Sequence, residues 1–141
     1  MINTIEAPDV YVKHTGTKKG RGAYAARDFK KGELVEECPV IVLFRSPDML
    51  APRIKTIIFN WGSLTNSERS SALVLGYGSI YNHNNPANML YKGVFDNNSI
   101  KYIAARDIKK DEELTVNYNN AGGSHISNDD TWFELHQIER L

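Results

Sequence analysis

The chain has 141 residues, 41% of them hydrophobic and 24% charged, which fits one globular domain with a single core. Its 17 Lys and Arg balance its 17 Asp and Glu, and this zero net charge argues against nucleic acid as the main partner, because phosphate binding usually leaves a basic excess. The single cysteine, Cys38, excludes an intrachain disulfide framework and a cysteine-based zinc cluster. The start of the sequence shows no signal peptide, and no apolar run reaches the length of a membrane span. We therefore expect a soluble intracellular protein, cytoplasmic or, in a host with a nucleus, nuclear.

Strand patterns dominate the first half of the sequence. Residues 10–12 are β-prone, and residues 34–44 have the composition of a buried strand that Pro39 interrupts. Two short helices are predicted, one over residues 52–60 and one over residues 67–75.

The second half begins with residues 81–88, whose Asn, His and Pro content is typical of an ordered loop. Residues 100–104 and 114–118 alternate as strands do. Residues 119–128, which contain a Gly pair, indicate a connector, and residues 129–138 give the clearest helix pattern, with acidic residues at its start.

An internal repeat links two distant segments. Residues 25–35 and 104–115 share Ala-Ala-Arg-Asp followed by Lys-Lys, and each predicts a strand, a polar turn and a second strand. Two copies do not make a solenoid, which needs at least about three. Recurring turns in β proteins explain the hairpin shape, but they explain the shared side chains less well.

Residues 20–25, Gly-Arg-Gly-Ala-Tyr-Ala, nominally match the dinucleotide-binding pattern G-x-G-x-x-A. Their context excludes that function, because a strand and turn follow instead of a long helix and the chain shows no βα alternation. Two interpretations remain: a glycine-rich turn, or a loop whose backbone approaches a ligand because two residues lack Cβ.

Asn82 and His83 are consistent with a structural loop whose side chains satisfy backbone groups. A metal site is not supported, because the other His residues show no ligand spacing with His83 and no carboxylate is near it in sequence. Ser79 precedes His83 without a nucleophile elbow. Tyr118 ends an alternating strand, so its ring could be core, yet the polar connector after it favours a functional position.

Taken in this order and at these separations, the segments resemble the signature of SET-domain protein lysine methyltransferases. Residues 20–25 resemble the first motif, residues 81–88 the Asn-His loop, and residues 113–118 the final strand with a catalytic tyrosine. Two departures stand out: Asn84 replaces the usual Ser, and Ala87 separates Pro86 from the following Asn. The cysteine-rich flanking segments of many relatives are also missing from the sequence, so no zinc or other metal is expected.

The resemblance implies a mostly β fold of several small antiparallel sheets, with a C-terminal pseudoknot and few short helices. It implies one SET domain over residues 1–141, in which residues 119–141 form a lid or helix. The activity would be S-adenosylmethionine-dependent methyl transfer to the ε-amine of a lysine in a protein or peptide, such as a histone tail. The implied cofactor-binding residues are Gly20, Arg21, Gly22, Tyr24, Tyr81, Asn82, His83, Tyr118, Trp132 and Phe133.

The resemblance also implies a lysine channel lined by Tyr91, Val116 and Tyr118, with Tyr118 as the catalytic residue. A hydroxyl at Tyr91 and a small side chain at Val116 together favour monomethylation. Trp132 and Phe133 would cover the adenine or wall the channel, although such residues are more often core anchors. A homodimer or partner subunit could complete the site. The competing interpretations are a non-catalytic SET-like peptide-binding module and a β-domain in which the motifs are coincidental; a metal-dependent hydrolase lacks ligands.

Overall fold

The computed structural model describes residues 4–45, 49–52 and 58–119, and within these ranges the chain is mostly β-strand. The strands are β1 (Val10–His14), β2 (Arg21–Ala25), β3 (Leu34–Leu43), β4 (Ile58–Asn60), β5 (Ser71–Val74), β6 (Asn82–His83), β7 (Met89–Val94), β8 (Ser99–Ala104) and β9 (Glu113–Val116). A short helix, α1 (Trp61–Thr65), follows β4, and a 3-10 helix (Phe95–Asn97) links β7 to β8. No helix in the described ranges is long and apolar enough to cross a membrane.

Two sheets form the domain, with strand orders β1-β2-β9-β6 and β4-β5-β3-β8-β7. Neighbouring strands run antiparallel, which confirms the predicted fold class, except that β6 and β9 run parallel and align Asn82 with Thr115 and His83 with Val116. This one parallel pairing puts the Asn-His segment beside the strand that leads to Tyr118. Of the predicted C-terminal lid, only Asn119 falls inside the described residues.

Pro39 marks a change of partner within β3 rather than an interruption. Before this residue β3 pairs with β8, ending at Pro39 opposite Ser99, and from Val40 onward it pairs with β5. The Pro39 carbonyl accepts the N–H of Leu75 at 2.9 Å. A proline fits here because its missing N–H falls where one ladder ends and another begins.

Both helix predictions for the middle of the chain were wrong where the structure describes it. Residues 58–60 form β4 and residues 71–74 form β5. The physical reason is long-range pairing: β5 lies between β3 and β4, and Ser71, Ala72 and Val74 are buried. Weak local helix propensity does not compete with two strand ladders. The helix predicted over residues 129–138 lies outside the described residues.

The core draws on both sheets, and each large buried side chain stabilises the fold by roughly 1.5–3 kcal/mol relative to exposure. The smaller sheet contributes Leu114 and Val116, and the larger contributes Met89, Ile100 and Tyr102. All five side chains are fully buried. The two sheets therefore share one hydrophobic interior beneath the strand that precedes Tyr118.

The internal repeat has a structural counterpart. Phe29 and Ile108 occupy equivalent positions in the two copies, and each donates its N–H to the other's carbonyl at 2.8 Å. Around this pair the contacts are reciprocal: Lys31 N–H donates to Asp107 at 2.9 Å and Lys110 N–H donates to Asp28 at 2.8 Å. The two turns are thus related by a local pseudo-twofold arrangement, which explains why their side chains match.

Candidate active site

Two glycines at the start of β2 serve different purposes. Gly20 has φ +76 and closes the β1–β2 turn, where Thr15 donates from its N–H at 2.7 Å and from its hydroxyl at 2.8 Å to the Gly20 carbonyl. A Cβ on Gly20 would meet nothing within 4 Å. A Cβ on Gly22 would lie 2.6 Å from the Glu113 carboxylate and 3.2 Å from Asn82 Nδ2. Gly20 therefore shapes the turn beside open space, and Gly22 lets side chains of β6 and β9 approach.

Asn82 ties three strands together. Its Nδ2 donates to the Arg21 carbonyl at 3.0 Å and to the Glu113 carboxylate at 2.8 Å. These bonds join β6 to β2 and β9, so the predicted first motif and Asn-His loop do lie together. Arg21 takes part through its backbone, while its side chain is exposed.

His83 contacts the segment after β9. Its Nδ1 accepts the Tyr118 N–H at 3.2 Å, and the two rings lie 5.3 Å apart. An accepting Nδ1 carries no proton, so the proton of the neutral imidazole is on Nε2. The His83 carbonyl accepts a bond from the Lys19 ammonium at 3.0 Å.

Tyr118 presents a neutral hydroxyl at this junction. The hydroxyl donates to the Tyr81 carbonyl at 3.0 Å. Burial, with a smaller contribution from the Glu113 charge, raises the pKa of Tyr118 to about 12. The phenol is therefore protonated at neutral pH and acts as a hydrogen-bonding group rather than as a base.

Tyr91 and Val116, which the sequence predicts to line the lysine channel, have different contacts near Tyr118. The Tyr91 hydroxyl donates to the Asn117 carbonyl at 3.4 Å, and burial followed by the charge of Tyr118 raises the pKa of Tyr91 to about 12. Val116 is fully buried in the core and pairs with His83. Tyr91 therefore lies next to the segment that carries Tyr118, whereas Val116 packs beneath it.

Asn88 is a residue of the site region to which the sequence analysis assigned no role. Its Oδ1 accepts the Thr115 N–H at 2.9 Å, and its Nδ2 donates to the Glu113 carbonyl at 2.8 Å. One buried amide thus imitates a strand neighbour and fixes β9. Its place in the Asn-rich segment was the only sequence signal, since the register that brings it to β9 is long-range.

A second set of buried polar groups lies behind Tyr81. The Tyr81 hydroxyl donates to Glu36 at 2.6 Å, and Glu36, 4% exposed, also accepts the Tyr77 N–H at 3.2 Å. Burial and the Glu36 charge raise the pKa of Tyr81. The Tyr102 hydroxyl and Asn117 Nδ2 are buried without a hydrogen-bond partner among the described residues. The interior near Tyr118 is therefore unusually polar.

Not every residue predicted to bind the cofactor lies with Asn82, His83 and Tyr118. The Tyr24 ring stacks on Tyr11 with centroids 5.6 Å apart, and the Lys13 ammonium lies 4.5 Å from its centroid, so its ring contacts are on the β1 side. Trp132 and Phe133 lie outside the described residues. Within the described ranges, no group of three or more His, Cys, Asp or Glu side chains could hold a metal ion.

Comparison with known proteins identifies this arrangement. The SET domain family matches residues 20–119, a range that contains all three motif segments. A Schizosaccharomyces pombe protein named histone-lysine N-methyltransferase, H3 lysine-37 specific, is 32% identical over 117 residues, which cover 83% of this chain and 72% of that protein. The chain belongs to the SET-domain family of protein lysine methyltransferases.

Solved structures support the SET fold. A Plasmodium falciparum protein assigned as a histone methyltransferase aligns with a TM-score of 0.63 at 23% identity, covering 81% of this SET domain and 95% of that chain. A polycomb repressive complex 2 in an autoinhibited conformation bound to S-adenosylmethionine aligns with a TM-score of 0.64 at 24% identity, covering 82% of this SET domain and 16% of that chain. At these identities the likeness concerns the fold.

Proposed function

We propose that this SET domain transfers a methyl group from S-adenosylmethionine to the ε-amine of a protein lysine, with Tyr118 as the catalytic residue. The observation that carries the proposal is the convergence of the three motif segments. Asn82 joins β2, β6 and β9, and the neutral Tyr118 hydroxyl is held on the Tyr81 carbonyl at the same junction. The S-adenosylmethionine named for the polycomb structure, which has the same fold, supports the choice of cofactor.

The described residues fit this cofactor. The backbone at Gly20 faces open space. Gly22 has no Cβ that would crowd the Asn82 side chain. Asn82, His83 and the backbone at residues 20–22 would hold the cofactor, and Tyr118 would lie near its reactive end. When bound, the cofactor supplies a methyl group on a positively charged sulfur.

The lysine must lose a proton before it attacks. Lowering its pKa from about 10.4 to about 7 requires roughly 4 to 5 kcal/mol of environmental effect. A lysine channel walled by the rings of Tyr91 and Tyr118 would disfavour the ammonium by desolvation, and a nearby positive sulfur would disfavour it further. Tyr118 is protonated at neutral pH, so it does not take the proton, and solvent accepts it.

Tyr118 instead orients the amine. Because its hydroxyl proton points to the Tyr81 carbonyl, the Tyr118 oxygen would act toward the amine as an acceptor of an N–H. That bond would aim the nitrogen lone pair toward the methyl group. Fixed positioning of this kind supplies a large part of a transfer reaction's rate enhancement.

We further propose a histone tail as the substrate class, with the chain acting in the nucleus or cytoplasm of a nucleated host. The basis is the S. pombe relative, whose name specifies H3 lysine 37. Monomethylation is the product expected from Tyr91 and Val116. Completion of the site by a second copy or a partner subunit stays a prediction from the sequence.

The test is methyl-label transfer from S-adenosylmethionine to an array of lysine-containing histone peptides. The wild-type chain should label specific peptides, and Tyr118→Phe should not. A non-catalytic peptide-binding module would capture peptides without transferring label, and a domain with coincidental motifs would bind neither peptide nor cofactor in calorimetry. Either result would remove the proposed function.

A further inference from the structure

Glu36 is a buried carboxylate on the central strand of the larger sheet, where β3 pairs it with Tyr102 of β8. Its residue is 4% exposed, and a carboxylate is rarely buried this far unless hydrogen bonds satisfy its oxygens. One oxygen accepts the Tyr81 hydroxyl at 2.6 Å, and the other accepts the Tyr77 N–H at 3.2 Å. Both donors belong to residues 76–81, so Glu36 connects the larger sheet to the turn that leads into β6.

The turn over residues 76–81 closes around this carboxylate. The Tyr77 carbonyl accepts the N–H of Ile80 at 2.8 Å and the N–H of Tyr81 at 3.3 Å. Gly76 has φ +68, and a Cβ there would lie 2.6 Å from the Glu36 carboxylate. A glycine at this position therefore permits both the left-handed backbone and the close approach of Glu36.

Tyr81 carries the position of the turn to the catalytic phenol. Its ring is buried against Tyr102, with centroids 4.9 Å apart, and its hydroxyl is held by Glu36. Its carbonyl accepts the Tyr118 hydroxyl at 3.0 Å. A shift of the turn would therefore move the acceptor to which the Tyr118 hydroxyl is bonded.

We infer that Glu36 is a positioning residue for methyl transfer, because it holds the turn whose last carbonyl orients the Tyr118 hydroxyl. The inference rests on the proposed function. Glu36 acts through Tyr81 and Tyr118 and touches neither cofactor nor substrate. Since a misplacement of about 1 Å at a reacting group can cost about a hundredfold in rate, loss of the Glu36 hydrogen bonds should slow transfer about tenfold to a hundredfold.

The experiment is single-turnover methyl transfer to the histone peptide that wild-type protein labels best, below the unfolding temperature of every variant. Glu36→Met should slow transfer about tenfold to a hundredfold. The affinity for S-adenosylhomocysteine and the peptide concentration at half-maximal rate should stay within about threefold of wild type. Glu36→Gln keeps an acceptor for the Tyr81 hydroxyl and should recover most of the rate. Tyr102→Phe, which removes the neighbouring buried hydroxyl, is the matched control and should transfer at the wild-type rate.

A double variant separates positioning from stability. Glu36→Met leaves the Tyr81 hydroxyl buried without its acceptor, which lowers the unfolding temperature. Combining it with Tyr81→Phe removes both partners, so the unfolding temperature should largely recover. The turn still lacks its hydrogen bonds to Glu36, so transfer should stay slow. A rate that recovers together with stability would show that Glu36 only stabilises the fold, and the inference would be overturned.

Nuclear magnetic resonance of protein labelled with ¹³C at tyrosine Cζ follows the Tyr118 hydroxyl without any activity. The Tyr118 signal, identified by its loss in Tyr118→Phe, should shift in Glu36→Met and in Tyr81→Phe and stay in place in Tyr102→Phe. An unmoved signal in Glu36→Met, or its transfer at the wild-type rate, refutes the inference and leaves the proposed function intact. If wild-type protein labels no peptide, the proposed function itself fails, and the inference fails with it.

Discussion

The hydroxyl of Tyr118 lies 3.0 Å from the carbonyl oxygen of Tyr81, a bond that spans 37 residues of sequence. The Tyr81 side chain is itself anchored on buried Glu36 at 2.6 Å. The residue whose carbonyl orients the Tyr118 phenol is therefore itself held in place through its ring.

Replacing Tyr118 by Phe should lower turnover by at least about a hundredfold, because a single positioned hydrogen-bonding group at a reacting centre is worth that much. S-Adenosylhomocysteine binding should stay within about threefold of wild type, since the Tyr118 N–H bond to His83 is kept. Single-turnover kinetics and calorimetry measure the two effects. Near-normal turnover would contradict the catalytic assignment.

Replacing Tyr91 by Phe should raise the number of methyl groups added. The hydroxyl that bonds to the Asn117 carbonyl would be gone, leaving room beside the amine for a methylated nitrogen. Mass spectrometry of a peptide substrate would show dimethyl-lysine or trimethyl-lysine. Tyr11→Phe, which alters an exposed phenol bonded to Asp111, is the control and should leave the product unchanged. A purely monomethylated product from Tyr91→Phe would count against this role.

Two buried tyrosines, Tyr81 and Tyr102, have ring centroids 4.9 Å apart and should respond differently to loss of their hydroxyls. Tyr81→Phe removes the hydrogen bond to one oxygen of the buried Glu36 carboxylate and should cost about 1–3 kcal/mol of unfolding free energy. Tyr102→Phe removes a hydroxyl that has no partner among the described residues, so it should be neutral or stabilising. Urea unfolding at neutral pH compares them. Equal losses would show that the Glu36 bond contributes nothing special.

Stability should fall steeply in alkali. Burial raises the pKa of Tyr81, Tyr91, Tyr102 and Tyr118 above the unfolded value of 10.0. A raised folded pKa gives stability that is complete below about pH 10 and is lost as pH rises toward the folded pKa, at about 1.4 kcal/mol per pH unit for each group.

Unfolding free energies measured by urea at about pH 9, 10 and 11 would reveal this slope. Tyr102→Phe deletes one of the four groups, so it should reduce the slope of unfolding free energy against pH by about 1.4 kcal/mol per pH unit. A free energy independent of pH over that range would mean that these phenols are not buried as described.

Two glycine substitutions should separate stability from binding. Gly32 has φ +89 and a Cβ there would meet nothing within 4 Å, so Gly32→Ala should cost about 1–2 kcal/mol through the backbone alone and leave cofactor binding intact. Gly22→Ala would crowd the Glu113 carboxylate and should weaken S-adenosylhomocysteine binding. Thermal unfolding and calorimetry read the two effects. Intact binding in Gly22→Ala would exclude close approach at that glycine.

The sequence predicted which segments meet, but not how. Asn82 and Gly22 were expected at one site, and the structure places a Cβ on Gly22 3.2 Å from Asn82 Nδ2. Their roles toward cofactor and substrate stay predictions. The hydrogen bond from Lys19 to the His83 carbonyl and the two hydrogen bonds between Asn88 and β9 depend on the register between distant strands. No local sequence pattern encodes that register. The same long-range pairing made β5 a strand against its local helix pattern.

The parallel pairing of β6 with β9 has a consequence for synthesis. The described partners of the Tyr118 side chain, the His83 ring and the Tyr81 carbonyl, precede it in the chain, and β9, which leads to Tyr118, lies between β2 and β6. Contacts of such wide sequence separation form slowly, because the entropy of closing long loops opposes them. During synthesis, the Tyr118 hydroxyl therefore cannot bond to the Tyr81 carbonyl until residue 118 has been translated and β9 has paired with β2 and β6.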